Sequence, residues 1–189
     1  MSSNSLTVVG VSGSPSAASR SRRLLEEVLA ALGDAGAGTA LFDLADLPAE
    51  ALLGRGTSDE VQGALTAVAS ADIVAVSTPV YRATYSGLLK VFFDLFAPGA
   101  LAGTVAIPIA TGGGAGHALA VDHGLRPLLA SVGAVVVAAG IYGTDAEFAD
   151  RVPNASLRGR VRLAADEALA LAGALKSARG AGSSSNVEN

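Results

Sequence analysis

Four serines and two arginines fall within nine residues, Ser14, Ser16, Ser19, Arg20, Ser21 and Arg22, close behind the apolar run 6–11. Hydroxyl and guanidinium groups at that density suit an oxyanion. A helical pattern begins at once behind them, and a helix start offers unpaired N–H groups and the positive end of its dipole. Gly13 is expected to let the backbone turn sharply, and Pro15 to stiffen the loop. On this stretch alone two readings stand: a phosphate site, or a helix capped by Ser19 amid ordinary turn chemistry. The stretch has neither the Gly-Lys-Ser/Thr ending of a P-loop nor the G-x-G-x-x-G spacing of a dinucleotide fingerprint. A monophosphate therefore suits it better than a pyrophosphate.

Two further stretches carry unusual composition. In "STPVYRATYSGLLK" (77–90), Pro79 fixes the exit from an apolar run, and Val80 and Tyr81 offer a flat edge to a planar ring. The alternative is that Tyr81 and Tyr85 pack internally or face another subunit. In "ATGGGAGH" (110–117), Gly112, Gly113, Gly114 and Gly116 would let backbone N–H groups approach a ligand, or would simply make a flexible turn.

These stretches need elements to position them. Short Val/Ile/Ala-rich runs predict strands near 6–11, 38–43, 72–77, 104–110 and 134–141. Helices are predicted near 20–33, 58–70, 86–96, 117–132 and 156–178. The alternation describes a doubly wound α/β domain with right-handed crossovers. Such sheets bind ligands outside the carboxyl ends of their strands, where the three stretches fall. Pro108 cannot donate to a ladder, so an irregularity is expected near the end of the fourth strand. Pro127 and Gly124 disturb the fourth helix, and a kink or π-bulge is expected around His123. One domain is expected over 1–179, with a disordered tail over 180–189.

Composition removes several function classes. The chain has 189 residues, half of them hydrophobic, a formal net charge of −4 and no Lys/Arg block, so no nucleic-acid partner is expected. Cysteine is absent and histidine occurs twice, which excludes disulfides and thiolate sites and leaves no metal centre expected. No apolar run reaches the roughly 20 residues of a membrane span, and a cytoplasmic protein is expected. "LLKVFFDLF" (88–96) is apolar nearly all round, which points to burial beyond one sheet face and so to subunit contacts.

Taken together, "GSPSAASRS", "STPVYRATYSGLLKVFFDL" and "ATGGGAGHALAVDHGLRPLL" resemble the NAD(P)H-dependent FMN reductases, closest to those that feed two-component monooxygenases of the alkanesulfonate type. The resemblance runs from about residue 7 to 142. It implies a flavodoxin-like fold with a five-stranded parallel sheet in the order 2-1-3-4-5. It further implies FMN, held by Ser14, Ser19, Arg20 and Ser21 at its phosphate and by Pro79, Val80 and Tyr81 at its ring. Thr111, Gly112, Gly113 and Gly114 would flank the ring from the other side. From the residues themselves, Arg82 or His117 is expected either to contact the NADPH or NADH phosphates or to be a solvated surface group. The implied assembly is a homotetramer with His123 at an interface, and the implied partner is an FMNH2-dependent monooxygenase. Where the family often carries Arg after "GSP", this chain has Ser16. The cofactor carries the chemistry, so no general acid or base is assigned. A quinone or azo reductase with fixed FMN is the alternative enzyme, and a flavodoxin-like electron carrier the alternative binding module.

Overall fold

Apolar residues on successive strand positions point to opposite faces, and the chain covers both. The computed structural model describes residues 5–184, with side chains to Arg179. Strands β1 (Thr7–Ser12), β2 (Gly38–Asp43), β3 (Ile73–Pro79), β4 (Val105–Gly112) and β5 (Val135–Val136) form a parallel sheet in the order β2-β1-β3-β4-β5. Val8, Ile73, Ala75, Val105, Ile107 and Ile109 face α1 (Arg20–Asp34) and α6 (Ala155–Ser184). Val9, Val11, Val74, Val76, Ala106 and Ala110 face α3 (Asp59–Ser70), α4 (Gly87–Phe93) and α5 (Arg126–Ser131). The short α2 (Ala49–Leu52) closes this second layer.

Helix α1 docks through Leu24, Leu25, Val28, Leu29 and Leu32, all buried. Each such side chain contributes about 1.5–3 kcal/mol through burial. Gly10 on β1 makes room for them, because a Cβ there would stand 2.8 Å from Leu29 Cδ1. Helix α4 ends at Phe93, shorter than its apolar pattern, with Asp94 as its C-cap and Pro98 following. Phe92, Phe93 and Phe96 meet edge-on or tilted, with centroids 5.4–5.8 Å apart.

The fifth strand departs from the expected run over 134–141. It is split into β5 and β6 (Ile141–Thr144), both paired with β4. Pro108 explains the split. Continuing the register Ala106↔Val136 would require an N–H at residue 108 to donate to the carbonyl of Val137. Proline has none, and Arg126 Nη1 donates to that carbonyl instead, at 2.7 Å. On the other side the N–H groups of Ala138 and Ala139 donate to the two oxygens of Glu167 at 2.7 and 2.9 Å. The irregularity thus falls on the strand opposite the proline, and β4 itself runs unbroken to Gly112.

The segment expected as one helix over 117–132 has three parts: a 3-10 turn at Ala115–Ala118, a π-turn at Val121–Leu125 and α5. His123 stands at the middle of the π-turn and is exposed. Gly124, beside it, lies against Thr84 and Tyr85. A small hairpin of β7 (Phe148–Ala149) and β8 (Val152–Pro153) was not expected. Helix α6 continues through Ser184, into the segment expected as a tail, and the rest of that segment lies outside the described residues.

At the end of the sheet away from the three loops, Asp72 ties β1 to α6. Its carboxylate accepts from the N–H and hydroxyl of Thr7 at 2.9 and 3.1 Å and from Lys176 at 3.0 Å. Burial pushes this carboxyl up, but the Thr7 N–H, Lys176 and the Thr7 hydroxyl outweigh it, so its pKa is lowered overall. A lowered folded-state pKa stabilises the fold fully above the unfolded value, near pH 4, and the contribution is lost as pH falls through the folded value. Thermal unfolding is therefore expected at lower temperature as pH drops from about 5 towards 3. Asp72→Asn should lose about 1–3 kcal/mol at neutral pH and flatten that dependence. Melting curves against pH measure both.

Candidate functional site

The order β2-β1-β3 reverses direction along the sheet between β1 and β3, and a cleft opens there at the carboxyl ends of the strands. Its volume is about 300 Å³. Lining it are Ser14, Ser16, Ser19 and Arg20 from the first loop, Pro79, Val80 and Tyr81 from the second, Thr111, Gly112 and Gly113 from the third, and Asp145.

The first loop is stitched to its neighbours. The Gly13 N–H donates to Ser77 O at 2.8 Å, and Ser86 Oγ donates to Gly13 O. Ser86 Oγ also accepts from Leu89 N at 3.1 Å, which caps α4. Gly13 is not in the left-handed region. It is required by close packing: a Cβ there would stand 2.8 Å from Leu89 Cβ and 3.2 Å from Ser77 O. Ser14 is buried and bonds within its own turn, with Ser16 N donating to its Oγ at 3.2 Å. Ser19 does cap α1, accepting from Arg22 N at 3.4 Å, and its hydroxyl lies 2.8 Å from that of Ser21. Ser21 is fully buried behind Ser19 and does not line the cleft. The capping reading of the loop is thus met by Ser19, and the cleft lies beside the start of α1.

The two arginines divide. Arg22 turns away, bound to Asp43 at 2.8 Å and Glu26 at 3.4 Å. Arg20 lines the cleft and is paired with Asp145.

The second loop makes a tight turn in which Tyr81 N donates to Thr84 O at 2.9 Å and Thr84 N donates to Tyr81 O at 3.2 Å. Arg82 and Ala83 at its tip have φ of +50° and +68°. Non-glycine residues there cost roughly 1–2 kcal/mol each. Tyr81 is 49% exposed, unusual for a large aromatic, and is presented to the cleft. Val80 N donates to Thr111 O at 2.8 Å, joining the second loop to the third.

In the third loop, Tyr142 Oη donates to Gly114 O at 2.7 Å and holds the glycines in place. Burial, then the nearby carboxylates of Asp145 and Glu147, push the Tyr142 phenol up, so it stays a donor at neutral pH. Gly114 holds the loop's end and does not line the cleft. A Cβ at Gly112 would be 2.7 Å from Tyr142 Oη and 3.4 Å from His117 Nδ1, whereas one at Gly113 would meet nothing within 4 Å. Arg82 and His117 are exposed and stand outside the cleft's lining.

Asp145 was missed by the sequence reading. It begins a 3-10 turn, Asp145–Glu147, held by a capping box in which Glu147 accepts from Thr144 N at 2.9 Å and Thr144 Oγ1 at 3.0 Å. Glu147 is in turn held by Arg160 at 2.5 Å. With the fifth strand expected to stop at 141, residue 145 lay beyond the loops considered. The split strand carries the carboxyl end of the sheet to Thr144, and Asp145 leaves it directly.

Among the described residues no group of three or more His, Asp or Glu side chains is placed to hold a metal ion, and no helix is long and apolar enough to cross a membrane.

Sheet order and cleft position define a flavodoxin-like α/β protein with its ligand cleft at the switch point. A family described as "NADPH-dependent FMN reductase" matches residues 6–149, and the chain belongs to it. It is 45% identical over 145 residues to "FMN reductase (NADPH)" of Pseudomonas putida, covering 76% of this chain and 74% of that one. It is 41% identical to "NADH-dependent FMN reductase SfnF" of Pseudomonas fluorescens, covering 90% and 94%. Among solved structures, the apo form of the NADH:FMN oxidoreductase EMOB superposes with a TM-score of 0.81 at 36% identity, covering 88% of this chain and 90% of that one.

Proposed function

We propose that this chain reduces FMN with NAD(P)H and passes the reduced flavin to a partner monooxygenase. The observation that carries the reading is the meeting of two unlike surfaces in one cleft. An anion cradle of Ser14, Ser19, Arg20 and the start of α1 faces a flat slot between Pro79–Val80–Tyr81 and Thr111–Gly112–Gly113. The donor set fits a phosphate monoester, and the open space at Gly113 fits a planar ring. Ser21 would act by orienting the Ser19 hydroxyl, and Gly114 by anchoring the loop through its carbonyl.

Bound FMN would supply the redox chemistry, accepting a hydride from the reduced nicotinamide. The chain's own residues would bind it and orient it in the cleft. Peptide N–H groups of the glycine loop would stabilise negative charge on the ring's far edge. Arg82, at the tip of the turn, and His117, beside Gly112, are the groups proposed to meet the NAD(P)H phosphates. A cytoplasmic site of action follows from the NAD(P)H supply. A tetramer is supported by the half-buried Leu88, Val91, Leu95 and Phe96 around α4 and by Leu119, 61% exposed just before the π-turn with His123.

The test is an NADPH- and NADH-oxidation assay with and without added FMN, after recording whether flavin co-purifies. Oxidation that consumes added FMN supports the reading. Rapid quinone turnover with retained flavin and no need for added FMN would point to a quinone reductase, and no oxidation at all to an electron carrier. Tyr81→Ala should weaken FMN binding about tenfold, through loss of a ring-sized contact of roughly 1–2 kcal/mol. Fluorescence titration reads it, and unchanged affinity would remove Tyr81 from the ring slot.

A further inference from the structure

Among the described residues lining the cleft, Arg20 is the one cation and Asp145 the one anion, and they are paired with each other. The neighbouring guanidinium groups at the start of α1 are committed elsewhere, Arg22 to Asp43 and Glu26 and Arg23 to Glu26 and Glu27, and Ser16 brings no charge. Arg20 is therefore the only full positive charge there that a phosphate can use. A carboxylate already holds it.

Asp145 is not a loose surface acid. Its turn is fixed by the Thr144–Glu147 capping box, and Glu147 is fixed by Arg160. The pair joins opposite sides of the cleft, the start of α1 and the end of β6. Both side chains keep contact with solvent, at 40% and 52% exposure, so the pair can open without unfolding anything. An arriving phosphate meets a neutralised arginine and a nearby negative charge. Like charges at such range disfavour one another, and an occupied guanidinium must first release its partner.

We infer that Asp145 sets the phosphate affinity of the cleft by competing for Arg20, holding it low enough for the phosphorylated ligand to exchange. The inference rests on the flavin reading only for the identity of the ligand, since the competition concerns any phosphate. Asp145 is a positioning residue: it acts on the ligand through Arg20 and takes no part in electron transfer. This favours FMN as a substrate that leaves after reduction over FMN as a fixed group.

The experiment compares wild type with Asp145→Asn, using FMN, riboflavin and inorganic phosphate as probes, by fluorescence titration and calorimetry. Asp145→Asn should bind FMN and phosphate about tenfold more tightly, with riboflavin affinity unchanged, and the gain should shrink in an Arg20→Ala background. More flavin should co-purify with the variant. Equal or weaker binding of both phosphate-bearing probes overturns the inference, as does an equal change for FMN and riboflavin. If phosphate shows the gain while neither protein binds FMN, the flavin reading falls and the role of Asp145 stands. If wild type binds FMN and the substitution brings no phosphate-dependent gain, the flavin reading stands and the role of Asp145 falls.

Discussion

Gly13→Ala is expected to lower stability by about 3 kcal/mol and to weaken FMN binding more than tenfold. The added methyl would stand 2.8 Å from Leu89 Cβ, 2.9 Å from Leu89 Cδ1 and 3.2 Å from Ser77 O. Rotating the leucine side chain relieves only the second contact, because Cβ and the carbonyl belong to the frame of α4 and β3. Relief requires the loop to lift, and lifting it strains the bond from Gly13 N to Ser77 O and the one from Ser86 Oγ to Gly13 O. Ser86 also caps α4, so the helix start is disturbed with the loop. Ser14 follows directly and Ser19 caps α1, so the hydroxyls that face the cleft move as a consequence. Denaturant unfolding and FMN titration measure the two effects. A variant with wild-type stability would show that the loop tolerates the shift and that close packing is not why glycine is present.

The same position shows how far the sequence carried the argument. Gly13 was legible as a turn position, because it follows an apolar run and precedes a serine-rich helix start. The nature of the constraint was not legible, since it comes from Leu89 and Ser77, more than 60 residues away. The same holds for the sheet. Continuous apolar runs placed β1, β3, β4 and the three loops, because burial on both faces imposes that pattern locally, while the mostly exposed edge strand β2 was placed by its spacing in the alternation. Pro108 announced an irregularity, and the missing N–H was felt across the ladder at Val137, where Arg126 and Glu167 hold a segment that no local pattern marks.

Asp145 was lost by that route, its position at the edge of the cleft depending on where the fifth strand ends. The helix over 117–132 makes the complementary case. Pro127 and Gly124 marked it as irregular, and the contact of Gly124 with Thr84 and Tyr85, known only in three dimensions, shows what that segment packs against. Arg20 and Arg22 both fall at the start of α1, and spacing alone could not separate them. Asp43, at the end of β2, draws Arg22 away and leaves Arg20 to the cleft.

The glycine loop supplies the second large effect, because its adjacent glycines are expected to fail differently. Gly112→Ala would place a methyl 2.7 Å from Tyr142 Oη, 3.4 Å from His117 Nδ1 and 3.4 Å from Val80 Cβ. A tyrosine ring cannot fold aside as a long aliphatic chain does, and its hydroxyl is tied to Gly114 O at 2.7 Å. That substitution should cost stability, about 1–3 kcal/mol, together with binding. Gly113→Ala would place its methyl in open space, within 4 Å of no protein atom, and its φ is not in the left-handed region. Its stability should stay within about 0.5–1 kcal/mol of wild type, with a slight gain permitted by the smaller entropy of the unfolded chain. Its FMN affinity should nevertheless fall at least tenfold if the open space beside Gly113 belongs to the flavin ring. Paired melting and titration experiments separate the two substitutions. A Gly113→Ala protein that binds FMN as wild type does would move the ring out of the slot between Tyr81 and the glycine loop, whatever became of the phosphate cradle.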